Sequence, residues 1–295
     1  MQVKTVLLRL QEITLAAIIL PVLMVLTWKQ VQYWENSITL YKHTLKHTSN
    51  NVHIHNNLGN VLKKQGRTEE AVEHYLQALR LKPDYANAHY NLGIAYADSG
   101  MHKEAIEAYK QVIRINPDNA WAHNNLSNVY GVLGMYKEAI EECKKAIRIN
   151  PDIAVTHYNL GNTYGESGMH KEAIEAYKQV IRINPDFADA HSNLGNAYGV
   201  LGMHKEAIEA YKQVIRIDPD SAWAYYNLGI AFADSGMYKE AIEACKKAIR
   251  IDPDYVKAHY NLCAAYLILN DRDSAVEQYK ILKSLDPKLA KKLFS

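Results

Sequence analysis

Phenylalanine, cysteine and surplus charge are all scarce in this sequence. Only 3 Phe occur beside 21 Tyr, an imbalance that only the positions of those residues can explain. Three cysteines are too few for a disulfide scaffold. The 34 basic and 32 acidic side chains leave a net charge of +2, so the basic surplus of a nucleic-acid binder is missing. With 48% hydrophobic and 22% charged residues, disorder and collagen-like structure are excluded too. No segment alternates with period two, so strands are not expected. No glycine-rich phosphate loop occurs, and no nucleophile–base pair stands out. The expectation is therefore a chain that is not an enzyme, with no catalytic residue and no cofactor.

The sequence does contain a period. Seven of its 8 prolines, Pro83, Pro117, Pro151, Pro185, Pro219, Pro253 and Pro287, lie 34 residues apart. Asn-Leu pairs keep the same step, from Asn57-Leu58 to Asn261-Leu262, and so does an alanine, from Ala71 to Ala275. All 14 glycines fall on three positions of the period. A fixed period of this length means a stacked array. The segment Lys-Glu-Ala-Ile-Glu-Ala-Tyr-Lys-Gln-Val-Ile-Arg-Ile recurs at 103, 171 and 205, which reads as tandem duplication.

Each period holds two helical segments. In 86–119, Leu92 and Tyr96 share a face with Gly93, and Gly100 suits a left-handed C-terminal cap. The second segment places Ala105, Ile106, Tyr109, Val112 and Ile113 on one apolar stripe, and Pro117 ends it. Asp118 is expected to cap the next helix or to sit in its first turn. Glycine after Asn-Leu lets the paired helices approach closely.

These residues resemble the tetratricopeptide repeat. In the second unit the signature is Leu92, Gly93, Tyr96, Ala105, Tyr109 and Pro117. The resemblance covers seven units: 52–85, 86–119, 120–153, 154–187, 188–221, 222–255 and 256–289. Ser127 and Cys263 depart from the close-packing glycine, and Cys143 and Cys245 from the second tyrosine. The fold implied is all-α, a right-handed superhelix (an α-solenoid) of antiparallel helix pairs, with first helices lining a concave groove. Cys143 and Cys245 are three periods apart, beyond disulfide reach, so all three cysteines are expected in the core.

The start of the chain differs. Residues 1–12 are an N-terminal flank, and Ile13–Trp28 carries no charge. Sixteen helical residues span about 24 Å, and extension back to residue 6 approaches the roughly 30 Å of a bilayer core. The expectation is that one hydrophobic, transmembrane helix over 13–28, extensible back to residue 6 across Arg9 and Glu12, precedes the superhelix. A cleaved signal peptide and a helix capping the stack are the alternatives. Residues 29–51 form a junction and half repeat, with a helix over about 36–47 packing on 52–64. Lys4, Arg9 and the terminal amine precede the hydrophobic segment, which places the array on the extracytoplasmic side. The stretch 27–45 also resembles the junction where mannosyltransferase-like membrane proteins pass into C-terminal tetratricopeptide repeats. Residues 290–295 are a tail.

By the family resemblance, first-helix positions 2, 5, 6, 9, 12 and 13 line the groove. Position 6 is asparagine in every unit: Asn57, Asn91, Asn125, Asn159, Asn193, Asn227 and Asn261. Position 9 adds Asn60, Asn128, Asn162 and Asn196. An amide both donates and accepts, so such a ladder suits an extended peptide backbone. A similar ladder holds peptide in O-linked N-acetylglucosamine transferases. The alternative is that these amides satisfy their own neighbours. Tyr90, Tyr158, Tyr226 and Tyr260 at position 5, with Trp121 and Trp223 at position 2, are candidate anchors. They would also stack on a sugar, the second ligand class. Asp98, Glu166 and Asp234 near the rim favour a neutral or basic ligand over nucleic acid. The position-4 histidines are spread along the stack and cannot converge on a metal, so no metal site is expected.

The reading is a membrane-anchored scaffold that binds an extended peptide of a protein partner in its groove. The alternatives are the substrate-docking tail of a membrane glycosyltransferase and a self-associating structural solenoid.

Overall fold

A computed structural model describes residues 19–28, 36–48 and 50–294. All the secondary structure among them is helical, with no strand. Helix α1 covers residues 19–28. After it come α2 (Ser37–His47), α3 (Val52–Lys64), α4 (Thr68–Leu81), α5 (Ala86–Asp98), α6 (His102–Ile115) and α7 (Ala120–Val132). Then follow α8 (Tyr136–Ile149), α9 (Ala154–Glu166), α10 (His170–Ile183), α11 (Ala188–Val200) and α12 (His204–Ile217). The last are α13 (Ala222–Asp234), α14 (Tyr238–Ile251), α15 (Val256–Ile268), α16 (Arg272–Leu285), α17 (Pro287–Lys291) and a closing 3-10 turn. Packing divides the chain into two compact units, Met1–Ala122 and His123–Ser295.

The punctuation is local chemistry. Gly66, Gly100, Gly134, Gly168, Gly202 and Gly236 end first helices with φ between 70° and 80°, where a Cβ costs energy. After α15 the same position is Asn270, at φ 59°, a side chain that tolerates this region better than most. Second helices stop one residue before the Pro-Asp step. The N-cap that follows is one residue later than expected. Asn119, not Asp118, accepts from the Ala122 N–H at 2.9 Å, and Ser221 accepts from Ala224 at 3.3 Å. The aspartate one place earlier turns outward. Asp186 pairs with Arg216 of the next repeat at 2.7 Å, and Asp84 with Arg114 likewise.

In the first unit, α2 packs on α3: Ile38, Tyr41 and Leu45 cover a core of Leu58, Leu62, Ala71 and Tyr75. In the second unit a continuous core runs through Leu160, Tyr164, Tyr177, Leu194, Tyr198, Tyr211 and Leu228. Close approach rests on glycine against tyrosine in four helix pairs and on Gly229 against Cys245 in a fifth. A Cβ on Gly161 would lie 2.5 Å from Tyr177 Cε1, and one on Gly195 2.8 Å from Tyr211 Cε1. Where the glycine becomes Ser127, the facing residue is Cys143, and the Cys143 thiol donates to the Ser127 hydroxyl at 3.1 Å. Where it becomes Cys263, the facing Tyr279 is only half-buried. All three cysteines are buried and unpaired with one another.

One expectation is overturned. Residues 19–28 are apolar and exposed, from Ile19 at 44% to Met24 at 68%. At about 1.5 Å per residue they reach roughly 15 Å, half a bilayer core. Among the described residues, no helix is long and apolar enough to cross a membrane. Single-pass membrane placement is therefore corrected, and the assignment of the array to an extracytoplasmic side falls with it. Residues 6–18 of the expected span and 29–35 of the junction lie outside the described residues.

Candidate functional site

Pairs of first helices frame the candidate groove, and second helices floor it. Its best-formed part is a cavity of about 360 Å³ between α9 and α11. Asn162, Glu166, Asn193, Asn196 and Val200 form its walls; His170, Ala173 and Tyr177 of α10 form its floor. Gly165 and Ala197 keep the opening wide, because neither carries bulk there.

The amides are not free rotors. Tyr177 Oη donates to Asn162 Oδ1 at 2.8 Å, and Asn193 Nδ2 donates to the same oxygen at 2.9 Å. Tyr211 Oη donates to Asn196 Oδ1 at 2.8 Å, and Tyr75 to Asn60 in the same way at 2.8 Å. These phenols stay protonated: burial lifts the Tyr177 pKa above its ordinary value, and pushes Tyr211 and Tyr75 up to about 12. With Oδ1 committed inward, Asn162 and Asn196 turn their Nδ2 donors to the cavity.

Position 6 bridges repeats. Asn91 Nδ2 donates to Asn56 at 2.9 Å, Asn159 Nδ2 to Asn124 at 3.1 Å, and Asn193 Nδ2 also to Tyr158 Oη at 3.2 Å. Asn227 instead donates to its own helix, at Trp223 O, 2.8 Å away. Asn125 accepts from Asn124 at 3.1 Å, and Asn57 from Asn56 at 3.5 Å. Asn261 bonds Tyr226, and that bond partly counters the burial that raises the Tyr226 pKa. Asn57, Asn128 and Asn196 are exposed; Asn60, Asn91, Asn125, Asn159, Asn162, Asn193, Asn227 and Asn261 are half-buried. Asn162, Asn193 and Asn196 thus carry structural bonds and still line the cavity.

The aromatics divide. Tyr158 is wedged between Tyr177 and Phe187, with ring centroids 6.1 and 5.2 Å away. Tyr90 packs on Tyr109 at 6.1 Å and Tyr226 on Tyr255 at 5.1 Å. Tyr260 is half-buried. Trp121 stays 50% exposed, and Trp223 rests edge-on against Tyr211 at 6.0 Å. Of the rim acids, Asp98 is paired with Lys63 at 2.7 Å. Among the described residues, no three metal-ligating side chains come together.

Sequence profiles described as TPR repeat match residues 59–100, 128–168, 163–202 and 200–236. Profiles described as tetratricopeptide repeat match 40–73, 86–119, 108–141 and 222–255. The chain belongs to the tetratricopeptide repeat family. It is 36% identical over 64 residues to the protein O-mannosyl-transferase TMTC1 of Homo sapiens. That match takes in 21% of this chain and only 7% of the relative's length. Among solved structures it is similar to MamA, at 31% identity and TM-score 0.55, covering 58% of this chain and 94% of that one. It is also similar to YrrB, described as a TPR protein with an unusual peptide-binding site. There the identity is 27% and the TM-score 0.56, over 63% of this chain and 96% of that one. This tetratricopeptide chain is accordingly a protein-interaction scaffold.

Three features of the site escaped sequence reasoning. They are the tyrosine clamp on position 9, the amide bridge between repeats, and the exchange of glycine–tyrosine for serine–cysteine. Only the last left a trace in the sequence, since Ser127 and Cys143 depart from the pattern in one repeat.

Proposed function

We propose that the chain is a non-enzymatic scaffold that holds an extended peptide across Asn162, Asn193 and Asn196. The supporting observation is the fixed polarity of these amides. Tyr177 and Tyr211 hold two of them with the nitrogen outward, while Asn193 spends its nitrogen on the preceding repeat and keeps its oxygen. Donors and an acceptor set by the fold match a peptide backbone, which presents N–H and C=O in alternation. Little amide motion has to be frozen on binding, so the ordering cost is low. Glu166 beside them favours a neutral or basic ligand segment. The similarity to YrrB supports the same reading. The test is selection of a random dodecapeptide library on the full chain, then calorimetry of a selected peptide. Asn162→Ala with Asn193→Ala should weaken binding at least tenfold with helicity unchanged. Equal affinity for the variant, or no peptide selected, refutes the reading.

The partial likeness to the mannosyl-transferase favours one second reading, in which these repeats dock substrate for a glycosyltransferase. Sequencing upstream of the Met1 codon tests it: an in-frame stop codon rejects it.

A further inference from the structure

The opposite face of the first helices carries a second kind of site. At about 100° per residue, positions 4, 7 and 11 lie across the helix from groove positions 6, 9 and 13. There His157, Leu160 and Tyr164 line a notch of about 580 Å³, and His191, Leu194 and Tyr198 one of about 510 Å³. His89, Leu92 and Tyr96 line another of about 450 Å³. None of these notches shares a residue with the groove cavity.

Position 23 decides whether a notch is open. Where it is His74, Glu142 or Gln278, that side chain fills the notch and reaches Nδ1 of the position-4 histidine. His74 meets His55 at 3.0 Å, Gln278 meets His259 at 2.9 Å, and Glu142 meets His123. Where it is Ala108, Ala176 or Ala210, the space stays empty. The histidines there are held all the same. Nε2 of His157 and of His191 lies 2.9 Å from the carbonyl oxygens of Pro151 and Pro185, and that of His89 2.8 Å from Pro83. A carbonyl only accepts, so Nε2 carries the proton and Nδ1 of the neutral ring is an acceptor. His157 and His191 are 8% and 6% exposed, and among the described residues their Nδ1 has no partner.

The open notches at His89, His157 and His191 each offer an apolar, aromatic wall, the Nδ1 edge of one histidine and a rim of both charge signs, such as Lys178, Lys205, Glu206 and Glu209. With lysine and glutamate side by side the rim favours neither sign, and a carboxylate or an ammonium alike would lose its hydration against Leu194 and Tyr198. A flat ring with a neutral donor at its tip satisfies every surface. We infer that the notches at His89, His157 and His191 seat tyrosine side chains of a partner polypeptide, each hydroxyl donating to Nδ1.

The test uses the full chain with ¹⁵N-labelled histidine, titrated with N-acetyl-tyrosinamide and, separately, N-acetyl-phenylalaninamide. The tyrosine probe should shift the Nδ1 resonances of His157 and His191 and bind about fivefold more tightly, the effect of one hydrogen bond. Ala176→Gln with Ala210→Gln, which copies the filling residue Gln278, should abolish both shifts. Gln278→Ala should create a new response at His259. Equal binding of the two probes, no shift at either histidine, or shifts that survive the glutamine substitutions would each overturn the inference.

Discussion

Gly161→Ala adds one methyl group to the middle of α9. Its Cβ would stand 2.5, 2.7 and 3.0 Å from Tyr177 Cε1, Cδ1 and Cζ, against a normal carbon contact of about 3.5–4.0 Å. The ring has nowhere to go: it is 4% exposed and its hydroxyl is bonded to Asn162. Overpacking of this kind costs about 1–3 kcal/mol, and the better helix propensity of alanine returns about 1 kcal/mol. The net expectation is a loss of up to about 2 kcal/mol. Gly199→Ala is the control, because nothing lies within 4 Å of its Cβ, and it should stabilise by about 0.5–1 kcal/mol. Stability in a repeat array is largely local, so amide exchange in α9 and α10 should be read beside urea unfolding. The mechanism also predicts a rescue. Tyr177→Cys copies the native Cys143, which faces Ser127, and made alone it opens a cavity. Combined with Gly161→Ala it should recover about 1–3 kcal/mol relative to the sum of the single changes. If Gly161→Ala stabilises as much as Gly199→Ala, close approach of the helix pair is not what keeps glycine there.

Other consequences can be measured on the same protein. Gly168, at φ 80°, should tolerate asparagine better than alanine, as Asn270 does in the last repeat. Gly168→Ala should lower stability by about 1 kcal/mol in urea unfolding, and Gly168→Asn by less. Burial works to raise the Glu142 pKa, but hydrogen bonds from His123 and Lys145 outweigh it and leave the carboxyl below its ordinary 4.5. A depressed carboxylate contributes stability that is complete above pH 4.5 and lost as pH falls through the lowered folded value. Unfolding midpoints measured from pH 6 down to pH 3 should thus fall more steeply for the native chain than for Glu142→Gln. Burial pushes the Cys143 thiol up to about 11 and the Cys245 thiol to about 12, so thiolate is nearly absent. At pH 8 iodoacetamide should leave both unmodified in the folded chain and alkylate them once urea is added.

The repeat made the fold legible. Proline, glycine and the Asn-Leu pair act through backbone conformation and helix periodicity, which are local properties, so their spacing alone implied antiparallel helix pairs. The cysteines could be placed in the core for the same reason, since repeat positions three periods apart cannot meet. The first fifty residues were less readable. An uncharged run of this length invites a membrane span, but among the described residues no helix is long and apolar enough to cross one. The groove was half legible. Asparagine at positions 6 and 9 was visible, but an amide side chain looks the same in sequence whichever way it faces. Only the packed structure decided that Tyr177 and Tyr211 hold Asn162 and Asn196 by their oxygens and that Asn193 reaches back one repeat. The position-4 histidines were likewise plain in the sequence. The proline carbonyls that hold Nε2 of His89, His157, His191 and His259, and the residue-23 side chains that meet Nδ1 in other repeats, are brought together only when the helices pack.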